Sequence, residues 1–396
     1  MRTDLNNPHD VLDDQSVVHR VDALLNEAIE KRASDIHLEQ GRDELRVRFR
    51  IDGVLVEHDN FSNHLSSLII ARLKILSSMD SAERRSPQDG KFHVVCQENQ
   101  VDIRVSTFPS LYGEKMVVRI LDRQIQTISV DSLGFEPKMF AVFKRLIQQQ
   151  SGFFLVTGPT GSGKTTTLYA ALSFLNSPEK NIVTLEDPVE YSLDGITQAQ
   201  IHPAAGFTFD KGMKALVRQD PDIIMIGEIR DKITARIAVE AALTGHLVLS
   251  TLHTANAPSA IMRLMDMGVE PFLINAALSG VLAQRLVRKL CIHCRSQRPA
   301  TAQESYLLQS LGIASEYLYQ AKGCAQCGGL GYKGRIGIFE LLEISPEFRA
   351  LIIKNPHFDE IYKQALRDGM KTLAQDGAQK VANGTISLEE LMRVIL

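Results

Sequence analysis

Apolar residues recur at helical spacing between residues 17 and 33. Val17, Val21, Leu24, Leu25, Ala28 and Ile29 fall on one face of a 3.6-residue period and predict an amphipathic helix. The period then changes to two. Leu45, Val47, Phe49 and Ile51 alternate with Arg46, Arg48 and Arg50, and Asp52-Gly53 separates this run from a second one, Val54 to Val56, which predicts a β-hairpin. Strand-like runs at Phe92 to Val95, Val101 to Val105 and Met116 to Leu121 complete a helix-plus-sheet domain over residues 16–122, after a tail at 1–15. A polar stretch at 123–133 reads as a linker.

From residue 134 to 396 short apolar runs alternate with polar or glycine-rich boxes and helical segments, the spacing of a parallel α/β sheet. The runs are Phe153 to Thr157, Ile182 to Leu185, Ile223 to Ile226 and Leu247 to Ser250. Ligands of open parallel sheets gather at the carboxyl ends of the strands, so boxes lying after these runs point to one nucleotide site. Two cysteine pairs lie within residues 288–335, and residues 336–396 read as a helical region with capping signals such as Ser387 before Glu390. The best membrane-span candidate, Phe272 to Ala283, stops at Gln284 and Arg285, short of the roughly 20 apolar residues a span requires.

Composition narrows the picture. A chain of 396 residues suggests two or three domains, and 23% charged against 44% hydrophobic residues excludes a disordered or rod-like chain. Lys plus Arg number 44 and Asp plus Glu 47, a net charge of -3 that argues against nucleic-acid binding by bulk charge. The N-terminus, Met1 to Pro8, lacks an apolar core with a cleavage site, so the expected compartment is the cytoplasm. Paired thiols there more often hold a metal than a disulfide, and the fifth cysteine, Cys96, reads as a core residue.

The strongest chemical signal is Gly158-Pro159-Thr160-Gly161-Ser162-Gly163-Lys164-Thr165, a G-x-x-x-x-G-K-[ST] loop after an apolar strand, followed by a helical segment from Thr166. Its backbone N–H groups suit a β-phosphate, Lys164 the β and γ oxygens of ATP, and the Thr165 hydroxyl Mg²⁺. Glu228 ends the run Ile223 to Ile226 and is the first choice for the base that orders water and metal. Glu186, Asp187 and Glu190 form a second acidic box after Ile182 to Leu185, and residue pattern leaves open which carboxylate polarises the water. Two histidines, His246 and His253, flank the next strand, and His246 is ranked above His253. Arg104 and Arg119 lie on N-terminal strands, where pattern alone favours an ion pair with a carboxylate such as Asp102 over an ATP phosphate. Cys291-x-x-Cys294, 29 residues (295–323), and Cys324-x-x-Cys327 suit tetrahedral Zn²⁺ with no open position, a structural site, with redox use of the pairs the alternative.

Taken in order, Ala33 to His37, Arg48 to Gly53, the loop Gly158 to Thr165, Glu186 to Glu190, Arg218 to Asp231, Thr244 to Thr254, the four cysteines and Gly331 to Glu340 resemble the secretion ATPases of the type II system and of type IV pilus assembly over nearly the whole chain. The resemblance implies an α/β protein: a PAS-like α+β N-terminal domain, a flexible linker, and a RecA-like P-loop ATPase domain with an inserted zinc-binding subdomain and C-terminal helices. It implies a homo-hexameric motor at the cytoplasmic face of the inner membrane, using ATP, Mg²⁺ and Zn²⁺. Its partners would be an inner-membrane platform protein and the cytoplasmic domain of an inner-membrane anchor protein, with membrane association through partners or lipid and no nucleic acid. By the same resemblance Glu186, Asp187 and Glu190 match an Asp box, Glu228 the Walker B glutamate and His246 a His box, while Arg104 and Arg119 become sensors of the nucleotide phosphates. The cysteine pairs favour an assembly or secretion motor over a retraction motor. Only about 16 residues precede the first helix, where many such proteins carry a further domain, so that domain is expected to be missing.

Overall fold

In a computed structural model, residues 14–96, 99–122 and 129–395 are described. The tail up to residue 13 and linker positions 123–128 lie outside them. The chain divides into two compact units, Met1–Gln126 and Thr127–Leu396.

The N-terminal unit runs α1 (Asp14–Glu30), β1 (Ala33–Gln40), β2 (Glu44–Ile51), β3 (Val54–Ser62), α2 (Asn63–Leu76), β4 (Gln88–Cys96), β5 (Asn99–Ser110) and β6 (Gly113–Asp122). Its strands form one wholly antiparallel sheet ordered β3-β2-β1-β6-β5-β4. Alternation sorts the faces, because successive side chains of a strand point to opposite sides. Ile36, Leu38, Val47, Phe49, Ile103, Val105, Met116 and Val118 bury one face against Val21, Leu24 and Leu25 of α1 and Ile69 and Leu73 of α2. The arginines expected on the alternate positions occupy the other face. Asp52 (φ 49°) and Gly53 (φ 87°) both take the left-handed region that a two-residue hairpin turn requires. The helix α2 and the strand character of β1 were not foreseen, since β1 interleaves Asp35, His37 and Glu39 with its apolar positions.

The C-terminal unit contains α3 (Pro137–Ile147), β7 (Gly152–Thr157), α4 (Lys164–Leu175), β8 (Ile182–Glu186), β9 (Thr197–Gln200), α5 (Phe209–Leu216), β10 (Ile223–Ile226), α6 (Lys232–Leu243), β11 (Leu247–Leu252), α7 (Ala257–Asp266), α8 (Pro271–Ala277) and β12 (Leu278–Leu290). An insertion follows, with β13 (Ser296–Pro299), α9 (Ala302–Ser310) and β14 (Tyr317–Gln320), and then β15 (Tyr332–Glu343), α10 (Pro346–Ile352), α11 (Phe358–Arg367), α12 (Leu373–Ala382) and α13 (Leu388–Ile395). The seven-stranded sheet is ordered β15-β12-β7-β11-β10-β8-β9, parallel except for β15, which pairs antiparallel with β12. The four expected parallel strands are β7, β8, β10 and β11. Their residues are buried almost throughout because helices cover both faces.

Three boundaries differ from expectation. Residues 336–343 belong to a strand, not to a helical tail: Ile338 and Phe339 are both buried, in separate clusters, and a strand buried on both faces has no alternation to distinguish it from a core helix. The apolar stretch Phe272 to Ala283 divides at Leu278 into α8 and β12. Val130 and Leu133, read as linker, are buried in the second unit, where Ser129 caps a short 3₁₀ turn. Among the described residues no helix is long and apolar enough to cross a membrane.

Candidate active site

Strand β7 ends at Thr157, and the chain turns through Gly158–Gly163 into the N-terminus of α4. Gly158 (φ 152°) has no room for a side chain: a Cβ there would stand 2.5 Å from Ser162 Oγ and 2.6 Å from the Gln284 carbonyl oxygen. Gly161 (φ 79°) faces open space and Gly163 (φ 87°) precedes the helix, so the loop is a backbone cradle at a helix N-terminus, the arrangement that attracts phosphate. Lys164 is buried in the first turn, its Nζ donating to the carbonyls of Gly158 (2.9 Å) and Pro159 (3.1 Å). Burial holds its pKa below the usual lysine value, against the opposing charge of Glu228. Pro159, Thr160 and Thr165 are exposed at the cradle and Thr166 is half-buried.

Two side chains absent from the sequence-based site set hold this loop in place. Gln284 of β12, buried, donates to Ser162 O (2.6 Å) and accepts from Thr167 Oγ1 of α4 (2.8 Å). Thr157 meets Thr254 hydroxyl to hydroxyl (2.7 Å) and accepts from the Thr254 N–H (2.9 Å), tying the root of the loop to the segment after β11. Gln284 carried no signal beyond ending the apolar stretch Phe272 to Ala283.

The acidic residues separate by environment. Glu228, two residues beyond β10, is partly accessible; it is ion-paired with Arg230 and lies 3.3 Å from His253 Nε2. Glu186 is 3% exposed, and its oxygens accept from Tyr169, from Thr184 (2.6 Å) and from Gln198 (3.2 Å). Burial and this bond to Glu186 push the Tyr169 phenol well above its usual pKa. Tyr169 in turn accepts from the Glu190 N–H (3.3 Å). Glu190 itself is exposed, as is Asp187, which lies 3.4 Å from Arg230. Glu186 is thus committed to holding the acidic loop, whereas Glu228 has a free path to solvent beside the phosphate cradle.

The ranking of the histidines reverses. His246 precedes β11, whose first residue Leu247 pairs with Gly152 at the start of β7, so it lies at the end of the sheet away from the P-loop. Its Nδ1 is 2.8 Å from the Ala241 carbonyl oxygen, a contact that closes the end of α6. His253 follows β11 and stands beside Glu228. Strand direction decides this, since the carboxyl ends of parallel strands share one edge.

Arg104 and Arg119 are directly opposite each other on β5 and β6 of the N-terminal unit. The carboxylate that Arg119 meets is Asp35, at 3.0 Å, rather than Asp102. In the C-terminal unit the four cysteine sulfurs lie within 4.8 Å of one another. Cys291–Cys324 and Cys294–Cys327 are both separated by 3.9 Å and Cys324–Cys327 by 3.8 Å. Sulfurs tetrahedrally placed about 2.3 Å from one centre would be about 3.8 Å apart, so the donor set fits zinc in both chemistry and spacing. The Cys324 and Gly331 N–H groups donate to Cys327 Sγ, each at 3.2 Å, which favours a thiolate there.

The family model described as type II/IV secretion system protein matches residues 10–393. The type II secretion system protein E of Klebsiella pneumoniae is 48% identical over 96% of this chain and 76% of its own length. The type II secretion system ATPase E of Vibrio cholerae is 48% identical over the same shares. The type IV pilus assembly ATPase PilB of Thermus thermophilus is 46% identical over 96% of this chain and 43% of its own. Among solved structures, that of the pilus retraction motor PilT with bound ADP is 26% identical, with TM-score 0.62 over 93% of this chain and 95% of that one. The Legionella pneumophila ATPase DotB shares the fold, with TM-score 0.69 at 20% identity over 98% and 97%. With a P-loop, acidic residues and a histidine gathered at one edge of its parallel sheet, the chain belongs to the type II/IV secretion system protein family, as a secretion ATPase.

Proposed function

We propose that this chain is the cytoplasmic motor of a type II secretion system, hydrolysing ATP as a homo-hexamer at the inner membrane to drive pseudopilus assembly. The observation that carries the reading is the meeting of Lys164, Glu228 and His253 at the carboxyl edge of the sheet, in a chain 48% identical to type II secretion proteins. The backbone of Gly158–Gly163 with Lys164 would bind the phosphates, and Thr165 would offer its hydroxyl to Mg²⁺, which supplies charge neutralisation when bound. Glu228, held by Arg230 and flanked by His253, orients the attacking water, while Glu186 and Glu190 with Tyr169 shape the neighbouring loop. Arg104 and Arg119 supply positive charge to the nucleotide phosphates. Cys291, Cys294, Cys324 and Cys327 hold one structural Zn²⁺. The platform and anchor proteins of the inner membrane are the partners, and nucleic acid is not.

Assembly of a type IV pilus is the second reading, favoured by the 46% identity to PilB. Deleting the gene in its host and restoring it as wild type or as Glu228→Gln tests the function. Secretion of exoproteins should return with the wild type alone. Restored surface pili with unchanged secretion would select the second reading, and restoration of either function by Glu228→Gln would refute hydrolysis as the drive.

A further inference from the structure

The helix that opens at the P-loop also reaches the acidic loop. Tyr169 of α4 lies five residues beyond Lys164 and is wholly buried, its ring edge-on to Tyr191 with centroids 4.6 Å apart. A phenol has one hydrogen to donate and two lone pairs with which to accept, and all three capacities are taken. The hydroxyl donates to Glu186 Oε2, at the end of β8, and accepts from the Glu190 N–H (3.3 Å) and from Gln198 Nε2 of β9 (3.4 Å). Burial, with the bond to Glu186 added, holds its pKa far above the usual phenol value, so it remains a donor throughout the neutral range. One hydroxyl therefore grips both ends of the loop from Glu186 to Glu190.

The middle of that loop stands beside Glu228. Leu185 of β8 pairs with Ile226 of β10, and the Gly227 N–H donates to the Leu185 carbonyl (2.9 Å), so Asp187 and Glu228, each two residues further on, leave neighbouring strands side by side. Paired strands are about 4.8 Å apart, and two carboxylates so placed repel unless a cation stands between them. Arg230 is that cation: its Nη1 is 3.4 Å from Asp187 Oδ2, and its Nη2 is paired with Glu228 Oε1. The position of Asp187 thus fixes one branch of the guanidinium and, through it, the carboxylate on the other branch. Without the phenol hydroxyl, Glu186 would keep Thr184 (2.6 Å) and Gln198 (3.2 Å), and the Val189 N–H would keep Gln200 Oε1 (3.3 Å). Among the described residues the Glu190 N–H has the Tyr169 hydroxyl as its one acceptor, so the loop would loosen at that end without being released.

We propose that Tyr169 is a positioning residue for hydrolysis: its hydroxyl locks the acidic loop to the P-loop helix, so that Asp187 holds Arg230, and Arg230 holds Glu228, in register with phosphates cradled at the start of the same helix. The inference rests on the reading that Glu228 orients the attacking water, and adds to it a buried residue that touches no nucleotide. Such a residue acts on the geometry of the reacting groups, so its loss falls on kcat and leaves KM. A misplacement of about 1 Å costs up to ~10² in rate, and a loop loosened at one end should cost roughly tenfold.

The test uses the full chain, in which Tyr169→Phe keeps the ring and removes only the hydroxyl. kcat, KM for ATP and melting temperature are measured for Tyr169→Phe, Asp187→Asn, the double variant and Glu228→Gln, with kinetics taken well below every melting temperature. Tyr169→Phe should lower kcat about tenfold with KM within about twofold of wild type, and in the Asp187→Asn background it should change kcat by less than about twofold, because both substitutions cut the same route. Hydrogen exchange read at the Glu190 amide by mass spectrometry should show protection in the wild type and its loss in Tyr169→Phe. A lowered melting temperature with wild-type kcat, equal kcat losses in both backgrounds, or a wild-type Glu190 amide exchanging as fast as an unstructured peptide each overturns the proposal, the last even where Tyr169→Phe does not fold. Turnover retained by Glu228→Gln removes the reading beneath it, whereas turnover lost by Glu228→Gln and kept by Tyr169→Phe removes the positioning role alone.

Discussion

Replacing Gln284 by Ala probes the P-loop from a residue that touches no nucleotide in the proposed mechanism. Its amide nitrogen is 2.6 Å from Ser162 O and its amide oxygen 2.8 Å from Thr167 Oγ1. Ser162 and Thr167 are 3% and 1% exposed, so water does not readily replace either bond. A buried polar group left without a partner costs about 1–3 kcal/mol, and two of them roughly 2–6 kcal/mol. Each kcal/mol lowers Tm by about 2–4 °C in a unit of this size, so Gln284→Ala should lose roughly 4–24 °C by calorimetry. Thr167→Val leaves one group unpaired and should lose about half as much. Because the amide lies 3.1 Å from where a Cβ of Gly163 would be, it also limits the loop at the helix N-terminus. KM for ATP should therefore rise more than kcat falls, because Glu228 follows a different strand, β10. The double variant should lose about 1 kcal/mol less than the two singles summed, since they share one bond. A Tm within about 2 °C of wild type, or strict additivity of the two changes, would refute the clamp.

The remaining predictions concern the site itself. Lys164→Ala should abolish ATP hydrolysis, while Glu228→Gln should keep ATP binding and lose turnover; titration calorimetry and phosphate release measure both, and near wild-type hydrolysis by Lys164→Ala would remove the P-loop assignment. Wild-type protein and Cys96→Ser should carry one zinc per chain by metal analysis and Cys324→Ser should carry none, because Cys96 lies on β4 in the other unit; equal zinc contents would exclude the four-cysteine site. Arg104→Ala and Arg119→Ala should each lower kcat strongly with ATP affinity nearly intact, since an arginine on developing phosphate charge contributes about 10³–10⁵ in rate against a fraction of a kcal/mol for an exposed ion pair. Replacement by Lys should rescue poorly, and a loss of thermal stability with turnover retained would mark Arg119 as a partner of Asp35 alone.

Local chemistry sufficed for the P-loop, the hairpin turn at Asp52-Gly53, four of the parallel strands and the two Cys-x-x-Cys knuckles. In each case the residue type is required by backbone conformation, ligand number or burial over a few neighbouring positions. What depends on strand direction and on partners far along the chain was decided by the tertiary structure. His246 and His253 are seven positions apart on the same strand and its flanks, yet one faces the site edge and the other the opposite edge of the sheet. Glu186 and Glu228 both end apolar runs, but Tyr169, Thr184 and Gln198 claim the first and leave the second accessible. Gln284 is only the polar residue that ends an apolar run until β12 pairs beside β7 and brings it against Ser162 and Thr167. Likewise Arg119 meets Asp35, 84 positions away, because β6 pairs with β1 and not because of anything near it in sequence. The sequence determined which residues could do chemistry; pairing and register, which minimise free energy over the whole chain, determined which of them meet.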